Sequence, residues 1–218
     1  IYSHSRGLQL GTATKAVRGY ISITMKKIIK TAFFTLFACL MLPIVALFYL
    51  LALGGDKDEL LASFSQGLSL IPGKIGCYLR SAFYRFTLTH CAPNALVGFN
   101  TLLSQTDCTI EQGVYVGPQG NIGSCRIGAN TLLGSGVHVM SGKGQHNFER
   151  NDVPIKDQGG RLTKVDVGSN CWVGNGALIM ADIGDGSVIA AGSVVVDAIP
   201  ANAIAVGNPA KVIKFRGE

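Results

Sequence analysis

Residues 142–161 read GKGQHNFERNDVPIKDQGGR, a polar stretch that contains His146, several charges and only three large apolar residues. Histidine is the residue type that titrates near neutral pH, so it suits a general base that removes a proton from a hydroxyl group. On both sides of this stretch the chain repeats apolar residues and glycines at regular intervals. We therefore predict that residues 142–164 form an active-site loop with His146 as the base.

Neighbouring residues leave the chemistry of this loop open. A solvated loop histidine without a role is the alternative interpretation of His146. His138 is a rival base, but it lies one residue before an inward position, so a surface or interface histidine is the simpler interpretation. Glu149, Asp152 or Asp157 could orient the catalytic histidine as the third member of a relay, and spacing does not choose among them.

The framework around the loop is a repeat of six residues. An aliphatic residue returns at about this interval at Val97, Leu103, Ile110, Val116, Ile122, Ile127, Leu133, Val139, Val167, Val173, Ile179, Ile183, Ile189, Val195 and, as a late echo, Val206. A period of six fits neither a helix nor strand alternation, but it fits short strands that stack, with glycine at the corners, into a parallel β-helix. Three faces of six residues form one coil, so these positions predict about five coils.

Small residues two positions before the aliphatic ones should also face inward. Cys108, Cys125 and Cys171 fall at such positions and are predicted to be inert core residues, because the six cysteines show no CxxC or zinc-like spacing. Trp172 lies between two inward residues, so its side chain should point outward. An exposed tryptophan indicates cover by the loop, a neighbouring subunit or a bound substrate.

The start of the chain predicts attachment to a membrane. Residues 1–30 form a basic leader that accounts for the net charge of +6, while the rest of the chain carries 13 basic and 13 acidic residues, which argues against a nucleic-acid partner. Residues 31–55 carry no charge, and as a helix they are long enough to cross a bilayer of about 30 Å. Met25 looks like a natural start, which would make residues 1–24 an extension.

Residues 56–92 are predicted to form amphipathic helices, broken at Pro72-Gly73. The second helix places apolar residues at helical spacing at Ile75, Leu79, Ala82, Phe83 and Phe86, with Lys74, Arg80 and Arg85 expected to point elsewhere. That pattern is typical of a basic helix on a membrane surface. A helix packed on the soluble domain carries the same stripe and is the alternative.

Four segments of the repeat, IGANTLLGSGVHV, VDVGSNCWVGNGALIM, IGDGSVIAAGSVV and IPANAIAVGNPAKVI, resemble the hexapeptide-repeat acyltransferases. The resemblance covers about residues 95–215, within a predicted domain at residues 93–218. It implies an all-β core built as a left-handed parallel β-helix, although parallel crossovers are usually right-handed. The apolar front and the polar loop are most similar to members that acetylate sugars in surface-polysaccharide synthesis.

The resemblance also implies binding residues. Acyl-coenzyme A would lie between subunits against backbone N–H groups of the late coils, at Gly174, Ala191 and Gly192, and Lys211 could meet a phosphate. The chain reads GSVVVDA where several sugar acetyltransferases read GSVVTKD, so the lysine often found there is missing. Asn121 matches a family residue that contacts the acceptor or the oxyanion, or else is an ordinary corner asparagine.

Together these features predict a membrane-associated O-acyltransferase that moves an acetyl group from acetyl-coenzyme A to a hydroxyl of a sugar or lipid-linked glycan. The family implies a homotrimer that needs no metal. Basic residues before the apolar run place the N-terminus in the cytoplasm. We expect Pro43 to break the run into a re-entrant hairpin, which keeps the catalytic domain on the cytoplasmic side of the inner membrane.

Two other functions compete on the same scaffold. A γ-class carbonic-anhydrase-like zinc enzyme needs three convergent histidines. His4 lies in the leader and His90 precedes the repeats, which leaves only His138 and His146 well placed. The other alternative is a catalytically silent β-helix that acts as a membrane scaffold, which would not bind coenzyme A.

Overall fold

The computed structural model describes the backbone of residues 4–218 and the side chains of Met25 and residues 28–218. Three helices come first: α1 (His4–Leu51), α2 (Lys57–Ser69) and α3 (Gly73–Thr87). The Asp56 carboxylate caps α2 by accepting the backbone N–H groups of Asp58 and Glu59. The predicted break at Pro43 is wrong, because α1 continues through this residue to Leu51.

Sixteen short strands follow the helices in the described part of the chain, and all but the last stack as a parallel β-helix. The strands are β1 (His90–Cys91), β2 (Leu96–Val97), β3 (Leu102–Leu103), β4 (Thr109–Ile110), β5 (Tyr115–Val116), β6 (Asn121–Ile122), β7 (Cys125–Ile127), β8 (Leu132–Leu133), β9 (His138–Val139), β10 (Val165–Val167), β11 (Trp172–Val173), β12 (Leu178–Ile179), β13 (Val188–Ile189), β14 (Val194–Val195), β15 (Ala203–Val206) and β16 (Lys211–Phe215). A short 3-10 helix, Ile155–Asp157, lies in the loop between β9 and β10.

The strands stack into three sheets that form the faces of the β-helix. Sheet A has the order β1-β4-β7-β10, sheet B has β16-β15-β13-β11-β8-β5-β2, and sheet C has β14-β12-β9-β6-β3. Isolated bridges at Ile183 and Ile199 extend sheet A. β16 turns back antiparallel to β15 and ends the stack. The predicted β-helix is confirmed.

The β-helix has about six turns, where the repeat predicted about five. The first turn begins at β1, where the inward residue is Cys91, which an aliphatic pattern does not register. The predicted aliphatic positions from Val97 to Val195 are all buried. The prediction that Val206 continues the inward series is wrong, because Val206 is 39% exposed and Ala205 pairs with Ile189 at the inward position instead.

The cysteines of the β-helix are buried and have free thiols. Cys108, Cys125 and Cys171 lie inside the stack as predicted. A hydrogen bond with Cys108, together with burial, raises the pKa of the Cys125 thiol, and burial raises the pKa of Cys171. The Cys125 and Cys171 thiols stay protonated near neutral pH, so they are poor nucleophiles.

α3 packs on the first coils of the β-helix. Phe83 and Tyr84 are fully buried, while Ile75, which the apolar stripe placed on the packed face, is 63% exposed. Arg80, expected to point away from the core, is 0% exposed and donates hydrogen bonds to the carbonyl oxygens of Val97, Leu68 and Ile71. One face of α3 is therefore packed against the β-helix, as the alternative interpretation expects.

α1 uses one face to pack on α3 and exposes the other. Its buried face is Phe37, Met41, Val45 and Phe48, and the Tyr49 hydroxyl donates to the Phe86 carbonyl at 2.6 Å. The segment Ile28–Leu51 is long and apolar enough to cross a membrane, and most of it is not buried. Its exposed apolar side chains are Ile28, Ile29, Phe33, Leu36, Leu40, Leu42, Leu47, Leu50 and Leu51.

Candidate active site

The polar loop is a folded arm that interrupts the β-helix after β9. Backbone hydrogen bonds join its two ends, from Thr163 to Ser141, from Arg161 to Gly144 and from Asn147 to Gly159. Gln158 holds the tip, because its side-chain amide bonds to backbone groups of Arg150 and Val153. The arm therefore has a defined shape without apolar burial of its own.

His146 lies on this arm with its side chain exposed. Gly160 packs against the neighbouring backbone so closely that a Cβ there would lie 2.0 Å from the Gln145 carbonyl oxygen and 2.9 Å from the His146 nitrogen. Close packing of the two strands of the arm fixes the backbone that carries the imidazole. Within the described chain this imidazole makes no hydrogen bond, so it is open to an incoming hydroxyl group.

None of the three relay carboxylates is bonded to His146 in the described part of the chain. Asp152 pairs with Arg150, whose guanidinium lowers the pKa of this carboxyl group. Glu149 accepts the Phe148 backbone N–H, and Asp157 is exposed on the short 3-10 helix. The geometry does not select an orienting residue.

Sheet C brings two other predicted residues together. Asn121 on β6 and His138 on β9 are register partners on adjacent strands, and both side chains face outward. Adjacent strands lie about 4.8 Å apart, so the amide and the imidazole are neighbours. The arm begins three residues after β9 ends, so Asn121 lies on the face from which the arm leaves.

Sheet B carries a groove of about 410 Å³ at the predicted donor site. Trp172, Gly174 and Ala191 line it, and Trp172 is 58% exposed as predicted. The groove also includes Asn175 and Val188, which the sequence analysis missed. Val188 precedes an inward residue, as Trp172 does, so the alternation of inward and outward residues could have identified it as outward-facing.

Both glycines predicted for the donor site are required by the backbone, although Gly192 does not line the groove. A Cβ at Gly174 would lie 2.4 Å from the Ala191 nitrogen of the next coil, so the stacked corner requires glycine there. Gly192 adopts φ +69°, a left-handed conformation that favours glycine. Lys211 is exposed on β16, two strands from β13, and therefore roughly 10 Å from the groove.

The arm and the groove lie on different sides of one chain. The arm leaves sheet C after β9 and enters sheet A at β10, so it projects from the corner between these sheets. Lys143 at its base pairs with Asp197, which follows β14 at the same corner two coils later. In a three-sided β-helix this corner faces away from sheet B. His146 and the groove are therefore not joined within one chain.

The outer face of sheet A has a polar groove of about 420 Å³ that offers no comparable chemistry. Its Arg126 pairs with Asp166 at 3.0 Å, and Asp182 accepts the Asp166 backbone N–H. The charged groups that line this groove are thus engaged in an ion pair or in hydrogen bonds to the backbone. Across the residues whose side chains are described, no three His, Cys, Asp or Glu residues are grouped to hold a metal ion, which does not favour the zinc-enzyme alternative.

Comparison with known proteins gives partial sequence matches. No protein-family model matches the chain. A Schizosaccharomyces pombe protein assigned as an acetyltransferase is 36% identical over 90 residues, which cover 40% of this chain and 42% of that protein. WcaF of Escherichia coli, assigned as a colanic acid biosynthesis acetyltransferase, is 29% identical over 115 residues, which cover 50% of this chain and 59% of WcaF. The chain thus spans about half the length of these relatives.

Solved structures share the fold. A hexapeptide-repeat acetyltransferase from Vibrio cholerae superposes with a TM-score of 0.63 at 19% identity, covering 76% of this chain and 96% of that one. A galactoside acetyltransferase in complex with coenzyme A gives a TM-score of 0.59 at 22% identity, covering 74% and 84%. The repeat, the fold and these partial matches make the β-helix of this chain similar to hexapeptide-repeat acetyltransferases.

Proposed function

We propose that the protein transfers an acetyl group from acetyl-coenzyme A to a hydroxyl group of a sugar or glycan precursor. The observation that carries this proposal is the folded arm, which interrupts the β-helix and presents an exposed histidine, His146. The groove at Trp172 supports it by offering a donor site at the predicted position. Relatives assigned as acetyltransferases, and a fold neighbour solved with coenzyme A, agree with it.

In this mechanism His146 accepts the proton of the acceptor hydroxyl while the oxygen attacks the thioester carbonyl. The new C–O bond forms, the C–S bond breaks, and the sulfur leaves with the proton returned by the imidazolium. The Asn121 amide is suited to donate a hydrogen bond to the oxyanion or to the acceptor. Trp172 and Ala191 flank the donor, and Lys211 lies where it can meet one of its phosphates.

A homotrimer completes the site, because the arm of one chain must reach the groove of another. Apolar side chains on the arm support this assembly, since Phe148 is 69% exposed, Ile155 57% and Leu162 50%. Sheet B supports it as well, with an outward apolar row in the late coils at Trp172, Val188 and Ile204. Exposed apolar surface of this extent is typical of an interface.

α1 attaches the enzyme to the cytoplasmic face of the inner membrane in this proposal. Its exposed apolar face is suited to a bilayer, while its other face packs on α3, where Phe37 contacts Tyr78 and Phe48 contacts Phe83. A helix bound along this length to the soluble domain is better placed to lie against the bilayer than to cross it. Leader and β-helix then stay on one side, where coenzyme A is available.

Calorimetric titration with coenzyme A tests the donor site. The wild-type chain should bind, and Ala191→Trp, which fills the groove, should weaken binding at least about tenfold, or 1.4 kcal/mol. Leu132→Trp is the matched control, because Leu132 is exposed on the same face but does not line the groove. Absence of binding in the wild type would favour a silent scaffold and reject the enzyme.

A further inference from the structure

A second groove, of about 460 Å³, lies between α3 and the first two coils of sheet B. Tyr78 of α3 forms one wall, and the outward side chains of Leu96, Phe99 and Tyr115 form the other. Phe99 and Tyr115 are each 40% exposed. A cleft of this size with apolar walls is suited to a hydrocarbon chain.

One end of this groove favours negative charge. Lys74 lines it, and the described lining residues include no acidic side chain. Lys74 forms no ion pair with the residues whose side chains are placed. α3 also begins here, at Gly73, after Pro72, which provides no side-chain cap. The lysine supplies the charge, and the uncapped first turn adds N–H groups that favour an anion.

The groove is continuous with the apolar face of α1. The Tyr78 ring packs on Phe33, Phe34 and Phe37 of α1, with ring centroids 4.9, 5.8 and 5.5 Å apart. Phe33 is 40% exposed on the face proposed to contact the bilayer. Tyr78 therefore joins the groove to the face of α1 that is proposed to contact the bilayer.

The groove also points toward the donor site. Tyr115 on β5, Leu132 on β8 and Trp172 on β11 are successive register partners on sheet B. At about 4.8 Å per strand, Tyr115 lies roughly 10 Å from Trp172. A sugar attached to the anionic end of a lipid held in this groove would lie close to the acyl donor.

We infer that this groove binds the hydrocarbon chain and the adjoining phosphate of a lipid-linked acceptor. The inference rests on the proposed function and narrows its acceptor to a membrane-anchored glycan precursor. Occupancy by bulk phospholipid or by a second copy of the chain are the competing outcomes of the test.

Protection of Cys77 measures occupancy, because Cys77 lines the groove and is half-buried. The full chain carries Cys39→Ser, which removes the exposed thiol, and is held in phosphatidylcholine nanodiscs. Farnesyl phosphate is the probe and N-ethylmaleimide the label. At ten times its Kd the probe should slow labelling of Cys77 about tenfold, whereas inorganic phosphate should have no effect.

Matched variants separate the parts of the groove. Tyr115→Ser should abolish protection, while Leu132→Ser, on the next strand and outside the groove, should retain it. Lys74→Gln should weaken protection by farnesyl phosphate but not by farnesol. Unchanged labelling with the probe, or equal protection in Tyr115→Ser, would overturn the inference.

Two further outcomes identify other causes. Cys77 that is already shielded without the probe would assign the groove to phospholipid or a second chain, and would also overturn the inference. Acetyl transfer to a water-soluble sugar should be unchanged in Tyr115→Ser. Loss of transfer in every sample, with protection intact, would count against the proposed function and not against the groove.

Discussion

Replacing Arg80 by methionine should loosen the junction between the helices and the β-helix. The guanidinium is 0% exposed, and it donates at 3.0 Å to Val97, at 3.0 Å to Leu68 and at 2.9 Å to Ile71, all at carbonyl oxygens. Each buried carbonyl left without a partner costs about 1–3 kcal/mol. Removing a buried charge returns part of this cost, so we expect a net loss of about 2–4 kcal/mol.

Hydrogen exchange detects that loss where it arises. A drop of about 2–4 kcal/mol in the local opening free energy speeds exchange of the α3 amides roughly 30- to 700-fold, while the late coils keep their protection. Arg80→Lys should also be destabilised, because an ammonium group does not reproduce the hydrogen-bond geometry of the planar guanidinium. Arg85→Met is the control, since Arg85 is exposed on the same helix. Equal exchange in Arg80→Met and Arg85→Met would refute the reasoning.

Three other predictions concern the thiols and the assembly. Native protein should label with N-ethylmaleimide at Cys39 and Cys77 but not at Cys91. Burial raises the pKa of the Cys91 thiol to about 12, so raising the pH to 8 does not generate the reactive thiolate. Mass spectrometry of labelled peptides checks this. Light scattering of solubilised protein should report about three chains, and a fully active monomer would contradict a shared site. Co-expression of His146→Ala with Ala191→Trp should restore about a quarter of wild-type transfer, because one in four interfaces then pairs an intact arm with an intact groove. No recovery in confirmed mixed trimers would mean that the arm and the groove of the same chain form the site.

The sequence was most informative where the repeat fixes which way a side chain points. Trp172 had to face outward because its neighbours face inward, and Trp172, Gly174 and Ala191 do line one groove. The number of turns was less accessible, because Cys91 and Ala205 occupy inward positions that an aliphatic pattern does not mark. The alternation of inward and outward side chains is a local property of each strand, so the sequence predicts it. The first and last turns of the β-helix depend on the segments that pack against its ends.

The helices and the loop show where sequence reasoning reaches its limit. A charged residue on an amphipathic helix is normally solvated, but Arg80 finds backbone carbonyls on three other segments, which only the tertiary structure brings together. α1 likewise continues through Pro43, and the residues on either side of it, Met41 and Val45, are buried. In the arm, side-chain pairing such as Arg150 with Asp152 follows from the backbone fold and not from spacing alone.

The central claim is that His146 acts as the base, and acetyl transfer by its variants tests it most directly. His146→Ala should leave thermal unfolding and coenzyme A affinity unchanged, because an exposed arm residue contributes little to the core. Transfer from acetyl-coenzyme A to a sugar acceptor should fall about 10²–10⁴-fold. His146→Gln should be almost as inactive, because an amide does not accept the proton.

The same assay tests the other candidate site residues. His138→Ala should cost much less, and Trp172→Ala should mainly weaken binding of donor or acceptor. All four variants are compared at equal concentrations of folded protein, with folding checked by thermal unfolding. The account predicts a stable, coenzyme-binding and inactive His146→Ala enzyme. A stable His146→Ala enzyme with wild-type turnover would contradict it.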